Sequence, residues 1–430
     1  MGPNTSGMAA PHLRPVSGGA RTQRTTKRNS LNGVRHEQLL TSVVLALVCF
    51  GLVMVYSASS SRALLSDANP FSFVVRQAVF AGLGFGVYWV CTRMNLDVLK
   101  RLSAPLMVVS FVLLAAVFLP GIGQEINGSR RWLALPVIGL QPAELAKIGL
   151  IIWVAALVSQ APGRIRTLNG LMPVIIVTGL FSMLIIVEPD VGTAATLLLV
   201  VSAMLLVAGA QPRHLGGLLA SAGALATIGI AVSASRRERL LAFLDPSADP
   251  GGTGFQILQA RIAFGSGGLF GKGLGDGVQK ANYLPEAQTD MILANIGEEL
   301  GLFGVLLVIL AVAAVAFLAY RIALSTRDRF RRLLAVGIAT LIAAQALDNV
   351  SSTLGMMPIT GVPLPFVSYG GSSLIVLLGS IGILVNIARG VEHERASIPR
   401  QDPRGDRGER NGRTRDSGAR GRGRVARAGR

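Results

Sequence analysis

Apolar segments of about 20 residues recur along most of this chain, and they limit its possible folds more than any other feature. A helix needs roughly 20 apolar residues to cross a bilayer, where every backbone polar group must be satisfied within the protein. The chain is 51% hydrophobic and only 15% charged, and its mean hydropathy is +0.53. The sequence therefore predicts an all-α polytopic membrane protein, because β-barrel strands would give shorter, alternating segments.

About ten of these segments are long enough to be transmembrane helices, and they set the predicted domain organisation. They cover residues 39–58, 72–92, 103–120, 142–159, 171–187, 191–209, 215–234, 290–320, 333–353 and 373–389. Together these segments predict a membrane domain at residues 39–390, with a large outer loop at 235–289 between spans seven and eight. Residues 1–38 and 391–430 are predicted to be basic, disordered tails, because they hold too few apolar residues to bury a core.

The positive charge indicates the orientation in the membrane. The net charge is +18, and it lies mainly in the two tails. With ten spans, the basic short loops "RMNLDVLKR", "QAPGRIRT", "AQPRH" and "YRIALSTRDRFRR" fall on the same side as both tails, which the Lys/Arg rule assigns to the cytoplasm. The tails suit contact with anionic membrane lipids, with protein docking as the alternative, and they give no reason to expect nucleic acid.

Two charged pairs lie close to predicted helix ends. Glu144 and Lys147 are three residues apart on one face of the fourth span, so they form either a structural ion pair or charges that line a cavity. Glu188 and Asp190 lie in the outer turn between spans five and six. Arg130 and Arg131 emerge at the same level, which makes a charged outer vestibule an open alternative to an ordinary turn.

The stretch "YLPEAQTDMILANIGEELG" brings acids to the mouth of the eighth span. They are Glu286, Asp290, Glu298 and Glu299. Thr289 is suited to cap the helix, and Asp290 would then lie in its first turn, where a carboxylate favours the helix dipole. A continuous helix would also place Gly297 and Gly301 within about 20° of Asp290, leaving space for a neighbour or a ligand.

The glycine-rich stretch "GSGGLFGKGLGDG" in the large loop resembles a phosphate-binding loop only superficially. A Walker A motif that ends in Gly271 and Lys272 needs Gly at position 266, where this chain has Ser266. It also needs Ser or Thr directly after the lysine, where this chain has Gly273. Glycines still allow close backbone approach, so Lys272 and Lys280 are candidates to meet phosphate. A flexible hinge loop is the alternative interpretation.

Five motifs in this order resemble the SEDS family, whose members include FtsW, RodA and SpoVE. They are "NGSRRW", "QPAELAK", "EPDVGT", "GLFGKGLGDGVQKANYLPEAQTDMILANIGEELG" and "PLPFVSYGGSS", and the resemblance covers about residues 39–390. "GVQKANYLPEA" is most similar to the division branch, and the basic carboxy-terminal tail is typical of actinobacterial members. The resemblance implies a multispanning peptidoglycan glycosyltransferase that polymerises lipid II into β-1,4 glycan strands at the outer face of the cytoplasmic membrane, at the division septum.

The resemblance also implies roles for the charged residues. Asp290 matches the family's essential aspartate, which would be the general base that deprotonates the acceptor sugar's 4-hydroxyl. The residues implied to bind substrate, including its pyrophosphate, are Arg130, Arg131, Lys272, Lys280 and Glu286. Cavity-lining or structural charges are implied at Glu144, Lys147, Asp190, Glu298 and Glu299. A divalent cation, Mg²⁺ or Mn²⁺, is an alternative stabiliser of the leaving group, and the sequence does not indicate its ligands.

The family context implies partners and leaves alternatives open. The implied partners are lipid II, the growing glycan lipid, a class B penicillin-binding transpeptidase, other division proteins and membrane lipids. The alternatives are a lipid II flippase with Glu144 and Lys147 along its path, an elongation polymerase of the RodA type, and a division scaffold. Two positions depart from the family pattern: Gln288 replaces a common His, and Asp348 lies where the family is usually apolar.

Overall fold

The computed structural model describes residues 19–397, except 66–68, 127–128, 134–138, 162, 233, 253 and 282. In this part, the chain forms thirteen α-helices and one two-stranded sheet. The helices are α1 (Gly19–Leu65), α2 (Ser72–Cys91), α3 (Leu96–Arg101), α4 (Ser103–Ala116), α5 (Pro142–Gln160), α6 (Leu168–Val187), α7 (Val191–Ala208), α8 (Pro212–Val232), α9 (Ala234–Leu244), α10 (Phe255–Gly267), α11 (Ile292–Ser325), α12 (Arg329–Thr353) and α13 (Gly371–Ser397).

Every predicted span overlaps a helix, which confirms a polytopic helical membrane protein. Within the described residues, eight helices are long and apolar enough to cross a membrane. These spans are His36–Ser60, Ser72–Cys91, Pro142–Gln160, Leu168–Val187, Val191–Ala208, Ile292–Ser325, Arg329–Thr353 and Gly371–Val391. The shorter α4 and the helix α8 cover the other two predicted segments. A total of ten spans stays a prediction.

The tails differ in part from the expected disorder. Helix α1 begins at Gly19 and α13 continues to Ser397, so the backbone of residues 19–38 and 391–397 is helical. Each apolar span supplies a formed helix that can propagate outward, and the Arg, Lys, Gln, Glu and Ala residues that adjoin the spans favour this. Residues 1–18 and 398–430 lie outside the described part.

The centre of the bundle is built from the most buried helices. Helices α12 and α5 bury 78% and 72% of their spans, whereas α2 and α6 bury 22% and 33%. The first pair is therefore central, and the second pair presents most of its surface to the membrane. Helix α11 packs against α12, α10 and α1.

A hairpin and two helices fill the loops at one end of the bundle. Strands β1 (Gly123–Ile126) and β2 (Ser129–Leu133) pair antiparallel after α4. In the large loop, α9 is followed by α10, which covers the stretch "FQILQARIAF".

Helix α11 is broken at Gly301, which has φ 67° and ψ −164°. The break frees the N–H groups of Leu302 and Phe303, which donate instead to the carbonyls of Gly268 (2.9 Å) and Leu269 (3.3 Å). A side chain at position 301 would place its Cβ 2.4 Å from the backbone nitrogen of Gly271. Glycine is therefore required by both the backbone angles and the close contact.

The same break frees two carbonyl groups in the helical turn that precedes Gly301. The carbonyls of Glu298 and Glu299 accept from the N–H groups of Lys272 and Gly273, each at 3.0 Å. Residues 268–280, which we call the clasp, thus replace both helical hydrogen bonds that the break removes. Buried backbone groups must be paired, so the clasp and the broken helix stabilise each other.

Candidate functional site

Asp290 lies in a turn before α11, so the expectation that it occupies the first helical turn is wrong. The N-cap residue is Met291, without a side-chain cap. Thr289 does not cap the helix either: its hydroxyl lies 3.0 Å from Glu286 Oε2 and 3.2 Å from Asp290 Oδ1. The N–H of Met291 donates to the carbonyl of Glu286 and closes the turn.

The glycine stripe expected below Asp290 also differs from the prediction. A Cβ at Gly297 would lie 2.4 Å from the ring of Phe264 on α10, and Gly301 breaks the helix at the clasp. These glycines admit neighbouring protein, not a ligand. The sequence argument failed because it assumed a regular helix from residue 290 onward.

The backbone of Asp290 is held by the end of α12. The side-chain amide of Asn349 donates to the carbonyl of Asp290 at 2.8 Å, and the hydroxyl of Thr353 donates to it at 3.3 Å. Asn349 also donates to the carbonyl of Val362 at 2.9 Å. Val362 belongs to the non-helical segment 354–370, which we call the lip. One buried amide therefore links Asp290 to the lip.

The environment of Asp290 suits proton transfer. Burial, and then the negative charge of Glu286, raise the pKa of Asp290 to about 6, while Thr289 and Arg239 act in the opposite direction. A carboxyl group with a near-neutral pKa can accept a proton effectively at physiological pH. Asp290 is thus a candidate general base.

Arg131 attaches the hairpin to the turn between α6 and α7. Its Nε donates to the carbonyl of Glu188 at 2.9 Å, and its guanidinium also contacts the carbonyl of Pro189. Its Nη1 lies 3.8 Å from Asp190 Oδ2. The carboxylate of Asp190 also caps α7 by accepting from the N–H of Thr193.

Gly361 of the lip lies between Asp290 and Arg131. A Cβ at this glycine would be 3.9 Å from Asp290 Oδ2 and 4.0 Å from Arg131 Nη1. The hairpin, the turn between α6 and α7, the turn at Asp290 and the lip therefore meet at one end of the bundle. Their meeting creates a site in which an acid and a guanidinium both approach the lip at Gly361.

Glu188 is a buried acid at this end of the bundle. Burial and the charge of Asp190 raise the pKa of Glu188 to about 8, against the effect of Arg131. Within the described residues, neither of its carboxylate oxygens has a hydrogen-bond partner. The group is therefore mainly neutral at pH 7.

Two arginines of α9, Arg236 and Arg239, line a cavity of about 150 Å³ near Asp290. The cavity is otherwise lined by Pro189, Val191, Gly192, Ile230, Leu240, Met357, Pro358, Ile359 and Thr360. Burial and the charge of Arg131 lower the pKa of both guanidinium groups, and Asp290 and Asp190 act in the opposite direction on Arg239. The sequence analysis missed both arginines. Their signal was the run "SRRER" on the predicted outer side, against the usual Lys/Arg bias.

The other basic candidates lie in ion pairs. Lys272 Nζ lies 2.8 Å from Glu298, and Lys280 Nζ lies 2.7 Å from Glu299. Arg130 pairs with Glu125 on the exposed hairpin at 3.3 Å. Of the four predicted basic residues, only Arg131 lies near Asp290 by the contacts of the described residues. The substrate-binding roles of the other three stay predictions.

The carboxylates of Glu298 and Glu299 bind the clasp. Glu298 accepts from the N–H groups of Val278 and Gln279, both at 3.0 Å. Glu299 accepts from the hydroxyl of Ser57 on α1 at 2.6 Å. The two acids therefore hold the loop that leads to Asp290.

Three further predicted positions have defined contacts. Glu144 and Lys147 form a buried ion pair at 2.8 Å on α5. Gln288 is buried next to the lip, and its carbonyl accepts from the N–H of Tyr369. Asp348 accepts a hydrogen bond from Thr360 at 2.6 Å.

A protein metal site requires several ligating side chains that converge on one point. No three His, Cys, Asp or Glu side chains in this part of the chain converge in a way that could hold a metal. The described residues therefore offer no preformed three-ligand protein site for Mg²⁺ or Mn²⁺. A cation that binds together with substrate phosphates stays a prediction.

Comparisons with known proteins identify sequence relatives along most of the chain. The family model described as "Cell cycle protein", which covers FtsW, RodA and SpoVE, matches residues 37–393. The chain is 42% identical over 358 residues to the "Probable peptidoglycan glycosyltransferase FtsW" of Trichlorobacter lovleyi, covering 83% of this chain and 94% of the relative. It is 38% identical over 369 residues to the "Stage V sporulation protein E" of Bacillus subtilis, covering 85% and 99%.

Solved structures share the fold. One is a chain from "Structural coordination of polymerization and crosslinking by a peptidoglycan synthase complex", with a TM-score of 0.67 and 29% identity over 82% of this chain and 97% of that chain. Another is the rod shape determining protein RodA of Thermus thermophilus, with a TM-score of 0.59 and 29% identity over 81% and 95%. The arrangement of helices described above is therefore shared with both.

Proposed function

The chain belongs to the SEDS family of peptidoglycan glycosyltransferases, and we propose that it polymerises lipid II at the outer face of the cytoplasmic membrane with Asp290 as general base. It is a multi-pass membrane enzyme. The observation that carries the proposal is the near-neutral pKa of Asp290 at an end of the bundle where Arg131, Arg236 and Arg239 also gather.

The mechanism follows from the charge changes during the reaction. Ionised Asp290 accepts the proton of the acceptor's 4-hydroxyl while that oxygen attacks the donor's anomeric carbon. The bond between this carbon and the pyrophosphate breaks, and the configuration inverts from α to β. Negative charge grows on the leaving group, and guanidinium groups can stabilise it through paired, charge-assisted hydrogen bonds.

We infer that the leaving group binds at the arginines of α9. Arg236 and Arg239 line it beside apolar residues of the lip, which suits an anionic group that continues into a lipid chain. Arg239 is also close enough to Asp290 to influence its pKa. The donor pyrophosphate would therefore lie near the base without displacing the Arg131 contacts.

The cellular setting is part of the same proposal. We infer that both termini are cytoplasmic, because the basic short loops and both tails share one side. We also infer a class B penicillin-binding transpeptidase and other division proteins as partners, supported by the likeness to a chain of a peptidoglycan synthase complex. Work at the division septum is supported by the identity with FtsW relatives.

The proposal is tested by polymerisation of labelled lipid II with the purified chain and its transpeptidase partner. Asp290→Asn should reduce glycan synthesis by about 10²–10⁴-fold, the usual contribution of a general base. Asp97→Asn is the matched control, because Asp97 is exposed on α3 next to a basic loop at the predicted cytoplasmic end. Undiminished polymer from the Asp290 variant would remove that residue from the mechanism. Lipid translocation without polymerisation in vesicles would favour the flippase alternative.

A further inference from the structure

The last turns of α12 are polar although the helix lies at the centre of the membrane bundle. Asp348, Asn349, Ser352 and Thr353 are 8%, 0%, 4% and 2% exposed. Burying polar side chains is costly unless they are hydrogen-bonded, so their partners show what the helix end holds in place.

Asp348 holds the lip on the cavity side. Its Oδ2 accepts a 2.6 Å hydrogen bond from the hydroxyl of Thr360, which lines the cavity. Helix α7 packs against this contact, because a Cβ at Gly192 would lie 2.6 Å from Thr360 Cβ and 3.1 Å from Asp348 Oδ2. A distance of 2.6 Å is short for a hydrogen bond between two oxygens, so this contact restrains Thr360.

Asn349 holds the lip two residues further along. It donates to the carbonyl of Val362 and to the carbonyl of Asp290. Thr360 and Val362 flank Gly361, the residue that lies between Asp290 and Arg131. Two successive side chains of α12 therefore fix the lip on both sides of its approach to Asp290.

We propose that Asp348 is a positioning residue, which acts through Thr360 to hold the lip where an acceptor sugar hydroxyl meets Asp290. This inference rests on the proposed function, since it assigns a second element to the same reaction. Misplacing reacting groups by about 1 Å can cost on the order of 10²-fold in rate. The contact therefore affects the chemical step more than the binding of lipid II.

The test uses Thr360, where a small change removes the hydrogen bond. Thr360→Val keeps the side-chain shape but cannot donate to Asp348, whereas Thr360→Ser keeps the hydroxyl. We expect the Val variant to lower kcat for lipid II polymerisation about tenfold with less than about a threefold change in KM, and the Ser variant to restore kcat. Asp348→Asn retains an acceptor oxygen and should resemble wild type, whereas Asp348→Leu should resemble Thr360→Val.

Thr340→Val is the matched control. Thr340 lies on the same helix, and its hydroxyl is also buried in a 2.6 Å hydrogen bond, with Tyr320. It lies about 12 Å from residue 348 at 1.5 Å per residue. A general loss of helix packing would affect both valine variants, whereas positioning of the lip is specific to Thr360.

A pH profile gives a readout that loss of folded protein would not change. The charged groups near Asp290 are Glu286 in its own turn and Arg239 from α9, which both shift its pKa, and Arg131 from β2, which approaches the same Gly361. A displaced lip admits water, so the acidic limb of the kcat profile should move to lower pH in Thr360→Val.

The possible results distinguish a failure of the positioning role of Asp348 from a failure of the assignment of Asp290 as general base. Equal kcat for Thr360→Val and Thr340→Val, or a kcat loss without any shift of the acidic limb, would overturn the positioning role. If Asp290→Asn also remained active, the assignment of Asp290 as the base would fail, whereas wild-type protein that forms no glycan would overturn the proposed function. An inactive Asp290 variant beside a normal Thr360→Val would reject only the role of Asp348.

Discussion

The ammonium group of Lys280 lies 2.7 Å from a carboxylate oxygen of Glu299, and the two side chains are 1% and 0% exposed. Ser57 of α1 also contacts both: its hydroxyl donates to the carboxylate and accepts from the ammonium group at 3.0 Å. A buried charge needs a partner, so this pair fastens the clasp to α11 and α1.

Lys280→Met should destabilise the protein by roughly 3–5 kcal/mol, because it leaves the Glu299 carboxylate buried without its cation. Thermal unfolding in detergent measures the change. Lys272→Met is the control, since the Lys272 side chain is 32% exposed and its carboxylate partner also accepts two backbone N–H groups. Equal unfolding temperatures for the two variants would contradict a special role of the buried pair.

Gly301→Ala should also destabilise the clasp, because the backbone angles at this position are strained for any other residue and the Cβ would overlap Gly271. Strained backbone alone costs about 1–3 kcal/mol. Limited proteolysis should show faster cleavage between residues 268 and 280. Gly82→Ala on α2 is the control, because a Cβ there meets nothing within 4 Å. Resistance to cleavage in Gly301→Ala would show that the clasp does not depend on the break.

The pH dependence of activity should follow Asp290 and shift in opposite directions with its two charged neighbours. A base must be ionised, so kcat should rise with pH through about 6. Glu286→Gln removes a negative charge and should move this limb to lower pH, whereas Arg239→Gln should move it to higher pH. Shifts of the same sign would contradict the electrostatic assignment.

The stability that Asp290 contributes to the folded protein falls with rising pH, whereas kcat rises. The folded pKa of Asp290 is raised from 3.8, so the stability contributed by its neutral form is present below 3.8 and is lost as the pH rises through about 6.

Glu188→Gln should preserve folding at pH 6 and increase stability relative to wild type at pH 9. The folded pKa of Glu188 is raised from 4.5 to about 8, so stability from its neutral form is lost as the pH rises through about 8. Glutamine has the shape of the neutral acid and does not ionise. Unfolding temperatures at both pH values measure the effect, and an equal difference between the two proteins at pH 6 and pH 9 would show that Glu188 does not titrate in this range.

The apolar segments predicted the helices because a membrane span is a local property of the sequence. The break at Gly301 could not be predicted in this way, since its missing hydrogen bonds are supplied by Gly268 and Leu269, more than thirty residues earlier in the chain. Lys280 and Glu299 are also separated, by 19 residues, so the charge of Lys280 indicated an anion but not which one. Glu299 proved to be the partner in the structure.

The site was predicted only in part for a similar reason. The turn acid Asp290 and the hairpin Arg131 came from short motifs, and the lip brings them together. Arg236 and Arg239 were missed because nothing in their own segment shows that α9 borders the cavity. Their position depends on how α9 packs against α7 and the lip, which sequence spacing does not encode.

Arg239→Gln should lower kcat/KM for lipid II by about 10²-fold, a typical loss for one donor that stabilises developing negative charge. Arg239→Lys should restore part of the activity, because it keeps the charge but not the planar pair of donors. Arg101→Gln is the control, since Arg101 is exposed on α3 at the predicted cytoplasmic end and should keep near wild-type activity. Arg130→Gln tests the hairpin, where Arg130 pairs with Glu125. The measurement is the initial rate of polymerisation at several lipid II concentrations. A full loss in Arg130→Gln with normal activity in Arg239→Gln would place the pyrophosphate at the hairpin and not in the cavity.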